Sequence, residues 1–234
     1  GNDYLTGEQG RDTIGGGDGN DSIAGDDRSG GESANGDNEL WGGAGFDSIE
    51  GGDYNDTIGG GAGSDILRGG DGNDIFYGGK DDGEDNIFAG GGNDTVYAGA
   101  GDDGIWLLDG SVEDVTSNLV FGGDGNDNIN ASRGADTIWG GAGDDTLSGS
   151  SAGTEFYYFA ENSGNDVIYL FTTGQDIIDL SELGNFNSFN DVISNASEFQ
   201  DVGFTHTSIQ LGTGSSVVIR GAEISDLSSA DFVF

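Results

Sequence analysis

The stretch GGDGNDSIAG, residues 16–25, opens on Gly16, Gly17 and Gly19, places Asp21 sixth, and follows it with Ser22, Ile23 and Ala24 before a new glycine. Glycine tolerates the positive φ of a tight turn and lets backbones approach closely, leaving carbonyl oxygens uncovered. The triplet after Asp21 alternates polar, apolar and small. In an extended chain such alternation turns Ile23 to one face and its neighbours to the other. Ten residues therefore read as a turn carrying one acid and a strand stub carrying one core side chain.

The same unit recurs along the chain with a nine-residue period, written G-G-x-G-x-D-x-U-x with U a large apolar residue. The six-residue turn is complete at 16–21, 42–47, 60–65, 69–74, 122–127 and 140–145, with many near-copies between. A fixed short period marks a solenoid, in which each unit buries its apolar face only against its neighbours. The sixth-position acid can be followed along two alternating series. One runs Asp3, Asp21, Asp47, Asp65, Asp85, Asp103, Asp127, Asp145 and Asp166; the other runs Asp12, Asn38, Asp56, Asp74, Asp94, Asn118, Asp136, Glu155 and Asp176. The inward residues between them are Leu5, Ile14, Ile23, Leu40, Ile49, Ile58, Leu67, Phe76, Ile87, Val96, Ile105, Val120, Ile129, Ile138, Leu147, Tyr157, Ile168 and Ile178. Both series hold if segments are inserted before Asn38, Asp85, Asn118 and Glu155. Three of those four insertions, and all three non-Asp residues, fall on the second series, which predicts one regular edge and one interrupted edge.

Composition explains what such a chain needs. It has 234 residues, 6 basic against 44 acidic, a net charge of −38, 49 glycines, no Pro, Cys or Met, and a single His. So high a charge with modest hydrophobicity keeps a chain disordered on its own, yet the apolar residues are too regular for a disordered tract. Carboxylates stacked ~4.8 Å apart without a counter-ion repel one another strongly. A cation must join them before the core closes, and a carboxylate beside bare carbonyls offers the hard oxygens that Ca²⁺ takes. The acidic sign argues against nucleic acid as a partner, and no apolar run reaches the ~20 residues of a membrane-spanning helix. Without cysteine there are no disulfides, thiol chemistry or zinc–thiolate sites. The start, GNDYLTG, lacks the basic and apolar stretches of a signal peptide and opens inside a repeat, so the sequence reads as a fragment or processed product.

These turns resemble the calcium-binding nonapeptides of the repeats-in-toxin (RTX) family over roughly residues 1–180. The resemblance implies an all-β fold, a right-handed parallel β-roll in which two nonapeptides form one coil. It also implies calcium ions between successive turns on each edge, held by backbone carbonyls and by sixth-position aspartates one coil apart. Carried over, the ligands are Asp3, Asp12, Asp21, Asp47, Asp56, Asp65, Asp74, Asp85, Asp94, Asp103, Asp127, Asp136, Asp145, Asp166 and Asp176. Roughly a dozen ions would satisfy the demand of calcium for 6–8 oxygens each. Asn38 and Asn118, which lack a charge, and Tyr54, which replaces the third turn glycine, mark weak, hydrated or empty sites.

Composition changes near residue 170, where the glycine turns stop. Residues 187–199 read as a short amphipathic helix, and 207–221 as a β-hairpin. Residues 181–234 are expected to cap the roll. The last four residues, Asp231, Phe232, Val233 and Phe234, resemble the ends of RTX proteases and lipases exported by type I secretion, which implies a secretion signal and the type I secretion machinery as a partner. His206 stands alone, and no zinc-protease motif, nucleophile elbow or phosphate loop occurs. The chain reads as a secreted, calcium-dependent folding and export module with no activity of its own. Two other readings remain: an extracellular adhesin or S-layer-like interaction module, and the tail of a secreted hydrolase or polysaccharide-modifying enzyme. The interaction reading rests on outward aromatics at coil spacing, Tyr77, Tyr97, Phe121, Trp139 and Tyr158, with Trp41 earlier on the same sheet. They form a stripe for a protein or polysaccharide to dock on, or else a stack that stabilises the sheet.

Overall fold

The computed structural model describes residues 1–26, 36–107 and 116–234. Two of the four inserted segments, 27–35 and 108–115, lie outside the described residues. The chain winds as a parallel β-solenoid. Successive nonapeptides contribute strands alternately to two sheets, so each strand pairs with the one two units away.

The first sheet runs Tyr4–Thr6, Ser22–Ala24, Ser48–Asp53, Ile66–Asp71, Asn86–Gly91, Gly104–Trp106, Asn128–Asn130, Thr146–Ser148 and Asn165–Tyr169, all parallel. The second runs Thr13–Asp18, Glu39–Ala44, Thr57–Ala62, Ile75–Gly79, Thr95–Ala100, Leu119–Asp124, Thr137–Ala142, Phe156–Tyr158 and Ile177–Asp179. The register is the one the repeat spacing predicts. Ile23 lies opposite Ile49, Leu40 opposite Ile58, Ile87 opposite Ile105, and Val120 opposite Ile138. It survives the irregular spacing after residue 150, with Tyr157 opposite Ile178 and Leu147 opposite Ile168.

The triplet alternation appears directly in burial, with the central residue enclosed and both neighbours partly exposed, as in Ser22–Ala24 and Thr146–Ser148. The core is a double column of single side chains. From Ile23 to Ile178 every inward residue is at most 2% exposed. Leu5 and Ile14 are half-buried, because only one neighbouring coil covers them. A column with one large apolar residue per strand, joined by Ala89 and Ala98 in two of the strands, holds little interior, so the turns on its two edges carry much of the structure.

The C-terminal segment closes over the last coil in both sheets. Strand Ser215–Ile219 pairs in parallel with Asn165–Tyr169, then antiparallel with Phe204–Gly212, which pairs with Ala196–Asp201. On the other sheet Phe232–Val233 adds to Ile177–Asp179. The predicted hairpin is present. The predicted helix is shorter than expected: only Phe189–Asn195 is helical, and Ala196–Asp201 is a strand. Strand pairing with Phe204–Gly212 overrides the weak helical pattern there, since a seven-residue helix has little propensity of its own to continue.

Candidate metal sites along the turns

From Asp21 onward the sixth-position side chains, Glu155 excepted, are tied to the coil before them. On the first edge the backbone N–H of Asp3 donates to Asp21 Oδ1 at 2.7 Å, Asp21 to Asp47 at 2.7 Å, and Asp47 to Asp65 at 2.8 Å. The chain of bonds continues without a gap through Asp85, Asp103, Asp127 and Asp145 to Asp166. The second edge has the same links from Asp12 through Asn38, Asp56, Asp74, Asp94 and Asn118 to Asp136, and from Glu155 to Asp176. Asp3 is exposed and Asp12 half-buried. Every other predicted ligand is at most 3% exposed.

One oxygen of each carboxylate is thus spent on the backbone. The other is sealed inside with no hydrogen-bond partner: this holds for Oδ2 of Asp21, Asp47, Asp65, Asp103, Asp127 and Asp145 on the first edge, and of Asp56 and Asp74 on the second. An unpartnered buried carboxylate oxygen is expensive, and a row of them more so. The orphaned oxygens face hollows kept open by glycine. A Cβ on Gly16 would collide with Asp21 Oδ2 and the Gly42 carbonyl oxygen, and one on Gly42 with Asp47 Oδ2 and the Gly60 carbonyl oxygen. Gly51 and Gly122 stand in the same relation to Asp56 and Gly69, and to Asp127 and Gly140. The second glycine of each turn has positive φ, for example +117° at Gly43 and +114° at Gly61.

Burial penalises the charged carboxylates and neighbouring acids add to it. Asp74 is pushed up to about 8, with Asp94, Asp56 and Asp71 contributing repulsion after desolvation. Asp85, Asp127 and Asp145 rise to about 7, and Asp65 and Asp103 to about 6, burial first in each case. Hydrogen bonds from the backbone lower these values without overcoming burial. A divalent cation between rungs reverses that balance, because it supplies the opposite charge that the carboxylates lack. Among the described residues no three His, Cys, Asp or Glu side chains converge on one point. A cation on either edge therefore takes most of its oxygens from the main chain, as hard oxygen-seeking ions do. The orphaned oxygens, the glycine hollows and the bare carbonyls fit calcium.

The second edge departs from this pattern where its sequence does. The Asn118 amide donates to Asp136 Oδ1 at 3.0 Å and to Ser132 Oγ at 3.1 Å. Ser132 in turn donates to Asp136 through its N–H at 2.8 Å and its hydroxyl at 2.9 Å. Asn38 donates to Asp26 Oδ1 at 3.3 Å, and Asp26 Oδ2 accepts the Asp53 N–H. Thr172 N–H satisfies Asp176 Oδ2 at 2.7 Å. Asp136 and Asp176, both predicted as ligands, thus have protein donors on the oxygens that stay unpaired elsewhere. Tyr54 holds φ at +77°, occupying a left-handed position that glycine fills in the complete turns.

Sequence reasoning missed these donors. Ser132 and Thr172 sit in turns that lack the first two repeat glycines, and that irregularity was the only signal. It also missed an outer ladder at the fifth position, in which Asn20 N–H donates to Asn2, Asn73 to Asn55, Asn93 to Asn73 and Asp144 to Asn126. The recurring Asn-Asp pair in the sequence is its trace. His206 has a structural role: its Nδ1 accepts the Gly221 N–H at 2.9 Å. The aromatic stripe forms a continuous stack. Trp41, Tyr77, Tyr97, Phe121, Trp139 and Tyr158 follow one another with centroids 4.2–6.1 Å apart and planes within 21°.

Among solved structures, the extracellular lipase LipA from Serratia marcescens is similar over 87% of this chain at 20% identity, with a TM-score of 0.46; this chain spans 40% of the lipase. The AlgE6R2 subunit of the Azotobacter vinelandii mannuronan C5-epimerase is similar over 63% of this chain and 91% of its own, at 23% identity and a TM-score of 0.40. No curated protein sequence matches the chain. The family profile of the RTX calcium-binding nonapeptide repeat matches residues 1–27, 33–66, 50–83, 81–111 and 121–152. These segments take in more than half of the chain, and the chain belongs to the RTX calcium-binding nonapeptide repeat family.

Proposed function

We infer that this chain is a folding and export module whose compact state is conditional on calcium. The supporting observation is the row of buried, unpartnered Oδ2 atoms along the first edge. The ligands are Asp3, Asp12, Asp21, Asp47, Asp56, Asp65, Asp74, Asp85, Asp94, Asp103, Asp127, Asp136, Asp145, Asp166 and Asp176, with Asp136 and Asp176 the weakest because they already have donors. Residues 1–180 form the calcium-binding roll. Residues 181–234 form the cap and carry the type I secretion signal at Asp231–Phe234.

The arithmetic of linkage makes the switch. A site with a Kd of ~100 µM adds about 1.8 kcal/mol at ~2 mM calcium and almost nothing at sub-micromolar calcium. A dozen such sites swing stability by roughly 20 kcal/mol, more than the stability of an ordinary domain. The chain is therefore unfolded in a calcium-poor cytosol, passes the secretion machinery unfolded, and folds outside the cell. Any catalysis belongs to the parent protein. Circular dichroism during a calcium titration checks this: a cooperative gain of β signal is expected, and a chain already compact in excess chelator overturns it.

A second reading, an extracellular interaction module, draws on the aromatic sheet. Trp41, Tyr77 and Tyr97 are about 40% exposed and border a groove of about 640 Å³ beside Lys80 and Asp124. The stacked geometry favours the stabilising role, because the ring faces are spent on one another. Trp139→Ser with Tyr97→Ser separates the two: loss of polysaccharide or partner retention in the still-folded chain favours docking.

A further inference from the structure

One rung of the second edge is closed by the protein itself. Thr116 and Asn118 come from one turn, Ser132, Gly134 and Asp136 from the next, and the four polar side chains are at most 5% exposed. The Asn118 amide shares its hydrogens among Asp136 Oδ1 at 3.0 Å, Ser132 Oγ at 3.1 Å and Thr116 Oγ1 at 3.3 Å. The Thr116 hydroxyl donates to Ser132 Oγ at 3.1 Å, and Ser132 donates to Asp136 Oδ2 through its N–H and its hydroxyl. With the Asn118 N–H on Asp136 Oδ1 at 2.9 Å, both oxygens of Asp136 are paired. Gly134 lets the two turns touch, since a Cβ there would collide with the Thr116 carbonyl oxygen.

This pair of coils therefore asks less of an ion than a regular pair does. Between the coil of Asp47 and Asp56 and the coil of Asp65 and Asp74, all four Oδ2 atoms lack a partner, two on each edge. Between the coil of Asn118 and Asp127 and the coil of Asp136 and Asp145, only the first-edge pair, Asp127 and Asp145, is left so. The same two coils set Val120 opposite Ile138 and Ile129 opposite Leu147, and stack Phe121 on Trp139 with centroids 4.6 Å apart.

We propose that the coils joined by Thr116, Asn118, Ser132 and Asp136 are the folding nucleus of the roll, so that calcium-triggered folding starts in the middle of the chain and spreads to both ends. A solenoid folds by nucleation and propagation, each coil adding to a formed neighbour. An ion that bridges two rungs gains its oxygens only once both turns are in place, so the first pair of coils must close before calcium can hold it. The pair with hydrogen bonds on one edge crosses that barrier with the fewest ions. The C-terminal segment is the rival starting point, but its contacts close longer loops. Ser215 meets Gly164 across 51 residues and Asp231 meets Gly174 across 57, whereas Asn118 and Asp136 are 18 apart. Longer loops cost more entropy to close and form later.

This inference rests on the calcium reading of the roll, and one experiment separates the two. The 234-residue chain in chelator is mixed with excess calcium, pulse-labelled by hydrogen exchange at successive times, and read by mass spectrometry. Amides of residues 118–148 are expected to gain protection first, followed by coils on either side. Asn118→Asp keeps the acceptor for the Asp94 N–H but replaces the donating amide with a second acid facing Asp136. It is expected to slow folding several-fold and to remove the lead of 118–148, while saturating calcium still gives the same final protection. Ser132→Ala is expected to slow folding with little change in the unfolding rate, the signature of contacts already made in the transition state. A Ser132→Ala chain that only unfolds faster, an Asn118→Asp chain that keeps its lead and rate, or first protection at residues 181–234 or at any other coil each overturn the nucleus while sparing the calcium reading. Full protection in chelator, before calcium is added, overturns both.

Discussion

The two edges of the roll are built from the same turn and differ in what closes them. On the first edge Asp21, Asp47, Asp65, Asp103, Asp127 and Asp145 each receive one backbone N–H and bury the second oxygen with nothing to bind it. On the second edge, around Asn118 and Asp136, an amide and a serine supply the hydrogen bonds that calcium would otherwise replace. The comparison teaches that a solenoid rung can be joined by an ion or by side-chain donors. The ion offers strength conditional on the solution; the donors offer a weaker joint that is always present. The coil at Asn118 also borders an inserted segment, so a joint independent of calcium stands where the repeat is broken.

The comparison breaks most visibly when the ion is removed. In chelator at pH 8 the β signal of the roll is expected to vanish. Lowering the pH to about 5 should restore part of it. The folded, ion-free chain holds protons on carboxyls at about 6–8, such as Asp74, Asp85 and Asp127, whereas the unfolded chain releases them near 4. The folded state then binds more protons across that window, so stability falls as pH rises from about 4 to 8. In excess calcium the trend reverses, because protons compete with the ion. Circular dichroism along a pH series with and without chelator tests both signs.

A smaller effect distinguishes the edges residue by residue. Asp127→Ala removes the orphaned oxygen and a rung bond, and should move the calcium midpoint of folding several-fold upward. Asp136→Ala should leave that midpoint nearly unchanged while costing about 1–3 kcal/mol in saturating calcium, the loss expected when buried donors go unpaired. Equal midpoint shifts in the two variants would erase the distinction. Smaller again, Trp139→Ala removes two ring stacks, at 4.6 and 4.2 Å. It should cost about 1–3 kcal/mol without changing the number of ions bound, read by denaturant melts and metal analysis. Tyr54→Gly relieves the left-handed strain at one second-edge turn, and a gain of about 1 kcal/mol is expected in the same melts.

Much of this was legible because the repeat makes every unit report on the others. Glycine at fixed places predicts the turns, one apolar residue per triplet predicts the column from Leu5 to Ile178, and the repeat spacing predicts the register, which holds even where the intervals drift to 10 and 11 residues around Glu155. The helix was overextended because strand pairing with Phe204–Gly212 claims Ala196–Asp201, a long-range contact that a local period cannot report. The donors Ser132, Ser150 and Thr172 were invisible for a related reason: each becomes a partner of an acid only after the turn has folded back over it.

The sequence by itself determined the periodic architecture and the need for a cation, since both follow from local conformational freedom and from charge that cannot be stacked bare. Only the tertiary structure decided which carboxylate oxygens stay unpaired and which find donors. It also packed the Tyr157 hydroxyl and Glu155 Oε2 against Gly149, where a Cβ would crowd them. Those outcomes depend on which side chains meet across coils some twenty residues apart, and that meeting is set by three-dimensional packing.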